Sequence, residues 1–496
     1  MAKYIRGVDR NQPMLLPSAV DDYISEESPL RALDAFVDTL DFTNLGFGVR
    51  DTDSVGRSSY DPCSLTKLYL WGYLKRSRSS RNLEEACSTN LGVIWLTGNL
   101  QPDHSTISDF RKKHSGPLKK IFREFNLLCI DLELFGRELI AIDGTFTKGV
   151  NSTARSFTRT KLKKLIEGID TAIEGYLERL DTADANGTGT QDGDCPVDAE
   201  ALQQKIDRIR ERKGKLEGYL AECETTTTGQ VNLTDRDSRQ LCKGGKKTIG
   251  YNTQIAVDAK HHLVITCEVT QESSDQHLLD RIAQQAKADL GLQPDDPLEA
   301  LADSGYATGA ELRRCESHHT VVTAPPQATK GESSGKYTVN DFTYDSGSDS
   351  YRCPNGMTLS RKADNTRNES GVYRVYQNSG ACRDCGLRAN CTKSQFRKLE
   401  VSEHKSALDA ARARVAADPK AMRRRGALVE HPFGTVKSRN GRSDHLCRGI
   451  ELAGVEMRLS FWAYNFTRVI NLLGSSGLIA AMQMVTKERK AHLSPC

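Results

Sequence analysis

The order of short strand-like runs and amphipathic runs between residues 139 and 323 constrains the fold more than any other feature of the sequence. Short apolar or alternating runs predict strands, and longer runs with apolar residues every three or four positions predict helices. The predicted order is strand, hairpin of two strands, helix, strand, helix, strand. In chain order the elements are Leu139 to Ile142, Asn252 to Asp258, Leu263 to Thr270, Asp275 to Leu290, Leu298 to Ala302, Thr308 to Glu316 and Thr320 to Thr323. This order predicts an α/β fold with a central mixed sheet.

Three acidic residues stand at the ends of apolar runs. They are Asp143 in I-A-I-D-G-T, Asp303 in A-L-A-D-S-G-Y and Glu430 in L-V-E-H-P-F-G. The strand order is that of an RNase H-like core, a mixed sheet flanked by helices, which would place acids at adjacent strand ends. Three such carboxylates suit a pair of Mg²⁺ or Mn²⁺ ions that act on a phosphodiester. We therefore predict that all three are catalytic metal ligands, although any one alone could be an ordinary surface or capping carboxylate.

Changes in pattern along the chain predict a division into domains and insertions. The RNase H-like core comprises residues 137–160 and 226–324, and residues 419–480 complete it with Glu430. The other predicted segments are a helical N-terminal DNA-binding domain (1–136), a helical-hairpin insertion (161–225), a cysteine-containing β-rich insertion (325–418) and a tail (481–496). The hairpin has alternating charge signs, so we interpret it as structural first, and as an arm for DNA or dimerisation second.

Two short helices in the N-terminal domain are candidates for DNA recognition. Ser79 to Asn90 and Ser105 to His114 are joined through the turn at Gly98 to Pro102, and Asp103 or Ser105 could cap the second helix. A helix-turn-helix motif would fit this pattern, and it makes Arg111 and Lys112 candidate DNA contacts. The alternative is a plain helical bundle with an exposed basic side. That side would contain Arg76, Arg78, Arg81, Arg111, Lys112 and Lys113.

Four cysteines in the β-rich insertion could bind a structural zinc ion. Cys353, Cys382, Cys385 and Cys391 have the form C-x28-C-x2-C-x5-C, and four thiolates suit tetrahedral zinc. The first spacing is long and irregular. Reduced cysteines that merely lie near one another are the alternative, and a nucleic-acid-binding knuckle is a third possibility.

Composition excludes several classes of protein. The chain has 496 residues, of which 38% are hydrophobic, enough for a substantial core. No run approaches the length of a membrane span, and Met1 to Ser18 lacks the apolar centre of a secretory signal. With 14 cysteines and no export signal, the expected compartment is the reducing cytoplasm.

A local basic excess lies around Glu430, although the formal net charge is only +4. Residues 419–448 carry eight Lys and Arg residues against Glu430 and Asp444. Arg423 and Lys437 lie seven residues before and after Glu430, a spacing that returns to the same helix face. We predict Lys437, Arg423 and Arg439 as DNA contacts, with a solvated basic face as the alternative. Pro432 implies that a helix here is kinked or starts at that point.

Several short motifs together resemble bacterial insertion-sequence transposases of the DDE class, over nearly the whole chain. The motifs are Tyr60-Asp61-Pro62, Leu68 to Leu74, Arg78 to Glu84, Trp95 to Gly98, Pro102 to Ile107, Asp143-Gly144-Thr145, Gly250-Tyr251-Asn252, Asp303 to Tyr306 and Glu430 to Gly434. The resemblance implies that Asp143, Asp303 and Glu430 form the catalytic triad. It also implies double-stranded DNA substrates (terminal inverted repeats and target DNA), a homodimer on DNA, and a location at the bacterial nucleoid.

The chain departs from the family pattern at Gly426, four residues before Glu430. Related signatures have an arginine at that position, and in this chain the nearest arginine, Arg425, is one position away. This leaves the basic partner of Glu430 open. Two other functions also stay open: an RNase H-like nuclease that cuts without joining, and an inactive DNA-binding remnant or regulator.

Overall fold

The computed structural model describes residues 19–48, 60–185, 199–226, 228–243, 245–326, 335–368, 371–440 and 444–493. Its helices are α1 (Pro29–Asp38), α2 (Phe42–Leu45), α3 (Pro62–Leu74), α4 (Ser80–Thr89), α5 (Leu91–Thr97), α6 (His104–Lys113), α7 (Ser115–Asp131), α8 (Arg159–Ala185), α9 (Ala199–Thr225), α10 (Leu279–Asp289), α11 (Gly309–Ser317), α12 (Ser379–Arg383), α13 (Arg388–Cys391), α14 (Lys405–Ala417), α15 (Ala421–Asn440), α16 (Ile450–Leu473) and α17 (Ser475–Leu493). Its strands are β1 (Leu139–Lys148), β2 (Ser156–Thr158), β3 (Gln230–Asn232), β4 (Arg239–Lys243), β5 (Lys246–Asp258), β6 (Val264–Thr270), β7 (Leu298–Leu301), β8 (Thr320–Thr323), β9 (Thr343–Asp345), β10 (Ser350–Arg352), β11 (Thr358–Asn368), β12 (Gly371–Gln377) and β13 (Lys398–Ser402).

The central sheet has the strand arrangement predicted from the sequence. β6 pairs with β5, and β5, β1, β7 and β8 follow in that order, while β4 pairs with the start of β5. β5 is antiparallel to β1 and β6, whereas β7 is parallel to β1 and β8. This mixed sheet confirms the RNase H-like prediction. β1 is longer than predicted, because it continues through the Asp143-Gly144-Thr145 motif to Lys148.

A buried helix joins the N-terminal helices to this sheet. α16 packs against α7, α3 and β6, and Trp462 on α16 stacks between Phe36 at 6.0 Å and Phe466 at 5.0 Å. One hydrophobic cluster therefore runs from Ala32 to Val485. The division predicted at residue 136 is not a division of the hydrophobic core.

The N-terminal helices differ from the prediction in two ways. A further helix, α5, lies between the two proposed DNA-recognition helices and ends at Gly98, which adopts a left-handed φ of 62°. The alternative of an exposed basic side is also wrong at Arg78 and Arg111, which are 9% and 7% exposed. Asp103 does cap α6, because its side chain accepts a hydrogen bond from the Thr106 amide at 2.7 Å.

Each insertion has a small hydrophobic cluster of its own. α8 and α9 pack together as the predicted hairpin, with Leu162, Leu216 and Cys223 buried at its base beside β2 and β3. β13, β12, β11, β10 and β9 form a separate antiparallel sheet.

No helix in the described ranges is by itself long and apolar enough to cross a membrane. Residues 450–473 and 475–487 meet that test only as a pair of helices bent by 101°.

Candidate active site

The parallel pairing of β1 and β7 brings Asp143 and Asp303 to neighbouring positions. The last registered pair is Ala141 with Leu301, and both aspartates follow two residues later. Adjacent strands lie about 4.8 Å apart, so the two residues lie side by side. Asp303 itself begins a turn, in which its Oδ1 atom accepts a hydrogen bond from the Gly305 amide at 2.8 Å.

Asp143 is largely buried and faces a cation. Its side chain is 17% exposed, its Oδ1 atom accepts a hydrogen bond from the Gly144 amide at 2.8 Å, and its Oδ2 atom lies 3.1 Å from Nη1 of Arg425. Burial raises the pKa of Asp143, while the guanidinium of Arg425 opposes that rise. Arg425 is one position before Gly426, and its contact is with Asp143.

A buried amide connects the two aspartate motifs. Gln254 lies opposite Gly144 in the β1–β5 pairing, and its Nε2 atom donates to Oδ1 of Asp275 at 2.8 Å and to Oδ1 of Asn252 at 2.9 Å. The Tyr306 hydroxyl donates to Oε1 of Gln254. Burial raises the pKa of Tyr306 well above its ordinary value, so this hydroxyl stays protonated and remains a donor.

The glycines of these motifs leave space that the acids and the amide occupy. A β-carbon on Gly144 would lie 2.0 Å from Nε2 of Gln254, and one on Gly305 would lie 2.9 Å from Oδ1 of Asp303. The latter would also lie 3.8 Å from Oδ2 of Asp275. The sequence analysis did not identify Gln254 or Asp275, because only the folded sheet brings them beside the aspartates.

Helix α15 lies against β1, β5 and β7 and carries Glu430. Its buried side contains Leu428, Val429, Pro432, Phe433 and Val436. Pro432 lies inside one helix that begins at Ala421, so the prediction that a helix might start at the proline is wrong. The packed apolar side compensates for the backbone hydrogen bond that proline cannot make.

Glu430 lies on the exposed side of α15, and its carboxylate turns back along its own helix. A β-carbon on Gly426 would lie 3.2 Å from Oε1 of Glu430. Lys437 reaches from α15 to β1, where its Nζ atom donates to Oγ1 of Thr145 at 2.6 Å. α15 is therefore attached to the aspartate strand on both sides of Glu430, through Arg425 and through Lys437.

Two parts of the chain match models of known protein families. Residues 18–113 match the model described as a transposase domain (DUF772), and residues 352–470 match that of a transposase DDE domain. The two matches support a DDE transposase. Such an enzyme uses divalent metal ions to cut and join DNA. The second match includes Glu430 and Lys437, whereas Asp143 and Asp303 lie outside both matched ranges.

Two further comparisons concern individual proteins. No curated protein matches this transposase. Among solved structures, a cryo-EM structure of the piggyBac transposase synaptic complex with hairpin DNA matches with 11% sequence identity and a TM-score of 0.31. That match covers 95% of this chain and 82% of the other.

The side chains of the three predicted catalytic acids are not grouped as one set of metal ligands in this structure. Asp143 and Asp303 are neighbours, and the charge of Asp303 contributes to the raised pKa of Asp143. Within the described ranges, however, no three Asp, Glu, His or Cys side chains are grouped so that they could hold a metal ion. Arg425 supplies the positive charge that Asp143 needs in this arrangement.

The predicted zinc site of the transposase is not assembled. Burial raises the pKa of Cys391, the charge of Arg397 opposes this, and the other three thiols raise the pKa further, so the four cysteines do lie in one region. The same search of the described residues found no metal-holding group among them. Cys353 and Cys391 instead pack against the apolar cluster of the insertion, and Cys385 accepts a hydrogen bond from Asn355 at 3.6 Å.

The five predicted DNA contacts have different surroundings. Arg423 and Lys437 are exposed on α15, and Lys112 is an exposed residue paired with Asp109 at 3.1 Å. Arg439 instead donates to the Ala463 carbonyl and to Thr467. Arg111 is buried 3.9 Å from Glu456 on α16, so its guanidinium is not available to a phosphate.

Proposed function

We propose that Asp143, Asp303 and Glu430 are the catalytic acids of this transposase. In this proposal the enzyme cleaves DNA at the ends of an insertion sequence and joins the 3′ ends to target DNA. The observation that supports it most is the parallel register of β1 and β7, which makes the two aspartates neighbours. A helix that carries Glu430 crosses the same strands.

The donor set fits Mg²⁺ or Mn²⁺, because both ions prefer carboxylate oxygens. Asp143 is already a buried carboxylate beside a cation, Nη1 of Arg425, and that nitrogen is buried without a hydrogen-bond partner among the described residues. A divalent ion would replace the Arg425 guanidinium as the positive charge beside Asp143. Asp143, Asp303 and Glu430 would hold the ions, and Glu430 would have to turn from its own helix toward the aspartates.

Bound metal ions would activate the attacking water or 3′ hydroxyl and stabilise the leaving oxygen. Protein side chains would bind and position the DNA. Lys437 and Arg423 lie seven residues on either side of Glu430 on the exposed side of α15, where they would bind backbone phosphates. The proposed substrates are duplexes with terminal inverted repeats and target DNA, bound by a homodimer at the bacterial nucleoid.

A cleavage and joining assay tests the proposal. Purified protein is incubated with labelled element ends, a target plasmid and Mg²⁺, and both cut and joined products are measured. Asp143→Asn, Asp303→Asn and Glu430→Gln should each lower cleavage by at least about a thousand-fold, equivalent to about 4 kcal/mol. Asp109→Asn, which removes an acid that is 73% exposed on α6, should cleave normally.

Two outcomes would contradict the proposal. Cleavage without any joined product would favour the nuclease alternative, since both activities need the same metal ligands. Normal cleavage by a correctly folded Asp303→Asn variant would remove that residue from the catalytic set.

A further inference from the structure

Lys437 of α15 is held by a hydroxyl group of the aspartate strand. Its Nζ atom donates to Oγ1 of Thr145 on β1 at 2.6 Å and lies 5.8 Å from the ring centroid of Phe433. A lysine has a flexible four-carbon stem, and a free side chain would place its charge at many positions. The contact with Thr145 therefore decides where this positive charge lies.

Strand alternation places Thr145 beside Asp143. Both residues belong to one uninterrupted stretch of β1–β5 pairing, so their side chains lie on the same face and their α-carbons are about 6.6 Å apart. α15 contacts that face at both residues, through Arg425 on Asp143 at 3.1 Å and through Lys437 on Thr145. The Lys437 ammonium therefore lies on the Asp143 face of the sheet, one side-chain position further along β1.

The Thr145 hydroxyl holds this cation without neutralising it. Lys148, three residues further along β1, lies 3.5 Å from the Asp444 carboxylate, which offsets its charge. A neutral hydroxyl only accepts one N–H group through a lone pair, so the other N–H groups and the positive charge of Lys437 remain available to an anion. An ammonium and a phosphate form a charge-assisted hydrogen bond, which is stronger than a neutral one. Thr145 thus leaves Lys437 able to bind a phosphate beside Asp143.

We propose that Thr145 is a positioning residue, whose hydroxyl holds the Lys437 ammonium next to Asp143, where the ammonium binds a phosphate adjacent to the phosphodiester that is cut. The inference rests on the proposed roles of Asp143 and Lys437, because Asp143 locates the reacting phosphodiester and Lys437 supplies the charge.

Cleavage of labelled element ends by the full chain in Mg²⁺ tests the inference. Thr145→Val removes the hydroxyl, keeps the shape of the side chain and suits a strand, so the variant should fold. It should lower cleavage by about ten-fold, because the ammonium is no longer fixed, whereas Thr145→Ser keeps the hydroxyl and should stay within about two-fold of wild type. Lys437→Gln should cost roughly ten- to a hundred-fold.

A double-mutant cycle distinguishes positioning of Lys437 from a merely structural role. If Thr145 acts through Lys437, Thr145→Val should cost less than about two-fold further in a Lys437→Gln background. The inference is overturned if Thr145→Val cleaves like wild type, or if its loss is as large in the Lys437→Gln background. It is also overturned if Thr145→Ser loses as much as Thr145→Val, because the hydroxyl would then not be the group that matters.

Two controls accompany these variants. Thr248→Val removes a hydroxyl from β5 on the opposite face of the same sheet and should cleave like wild type. Thermal unfolding of each variant checks the fold. If Thr145→Val unfolds early, Thr145→Ala takes its place with the same expected and overturning outcomes.

Asp143→Asn separates this inference from the proposed function. Normal cleavage by Thr145→Val, with cleavage still lost in Asp143→Asn, overturns only the role of Thr145. Normal cleavage by Asp143→Asn overturns the catalytic assignment instead.

Discussion

Gly144 and Gln254 lie opposite each other on β1 and β5, so close that a β-carbon on residue 144 would lie 2.0 Å from Nε2 of Gln254. The Gln254 amide donates a hydrogen bond to Asp275 and accepts one from the Tyr306 hydroxyl. Gly144, the glycine after Asp143, therefore leaves the space in which the Gln254 amide contacts Asp275 and Tyr306.

A double-mutant cycle tests this relationship. Gly144→Ala should lower cleavage by roughly ten- to a hundred-fold, because the methyl group displaces Gln254 and shifts Asp143. In a Gln254→Ala background the same substitution should cost much less, since the three nearest atoms all belong to Gln254. Cleavage rates of the four proteins give the coupling energy. Equal losses in the two backgrounds would contradict the argument.

Removing Arg425 should have opposite effects on stability and on metal binding. Arg425→Gln leaves the buried Asp143 carboxylate without its cation, which should cost roughly 2 kcal/mol of unfolding free energy in the absence of metal. Mn²⁺ should then bind more tightly, because no arginine competes for Oδ2. Calorimetric titration with Mn²⁺ measures this, and Arg424→Gln, which removes an exposed pair with Asp418, is the control. Weaker Mn²⁺ binding to Arg425→Gln would refute the competition.

Substitutions of Arg111 and Arg423 should affect two different properties, stability for Arg111 and DNA affinity for Arg423. Arg111→Ala should lower the unfolding temperature and leave the DNA affinity of the folded protein unchanged, because its side chain is buried near Glu456. Arg423→Ala should weaken DNA binding and leave the unfolding temperature unchanged, because its side chain is exposed on α15. Thermal unfolding and DNA titration of both variants check this. The opposite pattern would restore Arg111 as a DNA contact.

Stability at acidic pH should depend on Glu456. Burial alone would raise the pKa of this carboxyl, but a hydrogen bond with His445, followed by the charges of His445, Arg78 and Arg111, lowers it below its ordinary 4.5. A lowered folded-state pKa adds stability that is present above pH 4.5 and is lost as pH falls through the lower value.

The measurement is the unfolding free energy of wild type and Glu456→Gln between pH 3 and pH 7. At neutral pH the substitution should cost roughly 3 to 5 kcal/mol, as expected when a buried ion pair is broken. The difference should shrink below pH 4.5. A difference that stays constant down to pH 3 would mean that the ionised carboxylate contributes nothing.

Periodicity predicted the sheet well, because alternating and apolar runs bounded by turns identify strands without knowledge of the tertiary structure. The predicted strand Thr320 to Thr323 coincides with β8, and the predicted hairpin corresponds to β5 and β6. β1 was predicted too short, since Asp143-Gly144-Thr145 resembles the end of a strand. The short helix α5 was missed between two turn signals.

Side-chain surroundings were harder to predict than elements. Arg111 was expected on an exposed basic side because arginine is usually exposed. Arg425 could have been found from the sequence, because it is spaced three and four residues from the apolar Leu428 and Val429 and so belongs to the buried side of α15. Gln254 and Asp275 gave no local signal, because their contacts join separate strands and turns.

The position of Mn²⁺ in a complex of the full chain with a DNA duplex tests the central claim most directly. Anomalous scattering from crystals of that complex would locate the ions. The account predicts Mn²⁺ within about 2.2 Å of carboxylate oxygens of Asp143, Asp303 and Glu430, with Arg425 withdrawn from Asp143. Mn²⁺ bound at the DNA with Asp143 still paired to Arg425, and Glu430 still turned toward Gly426, would contradict it.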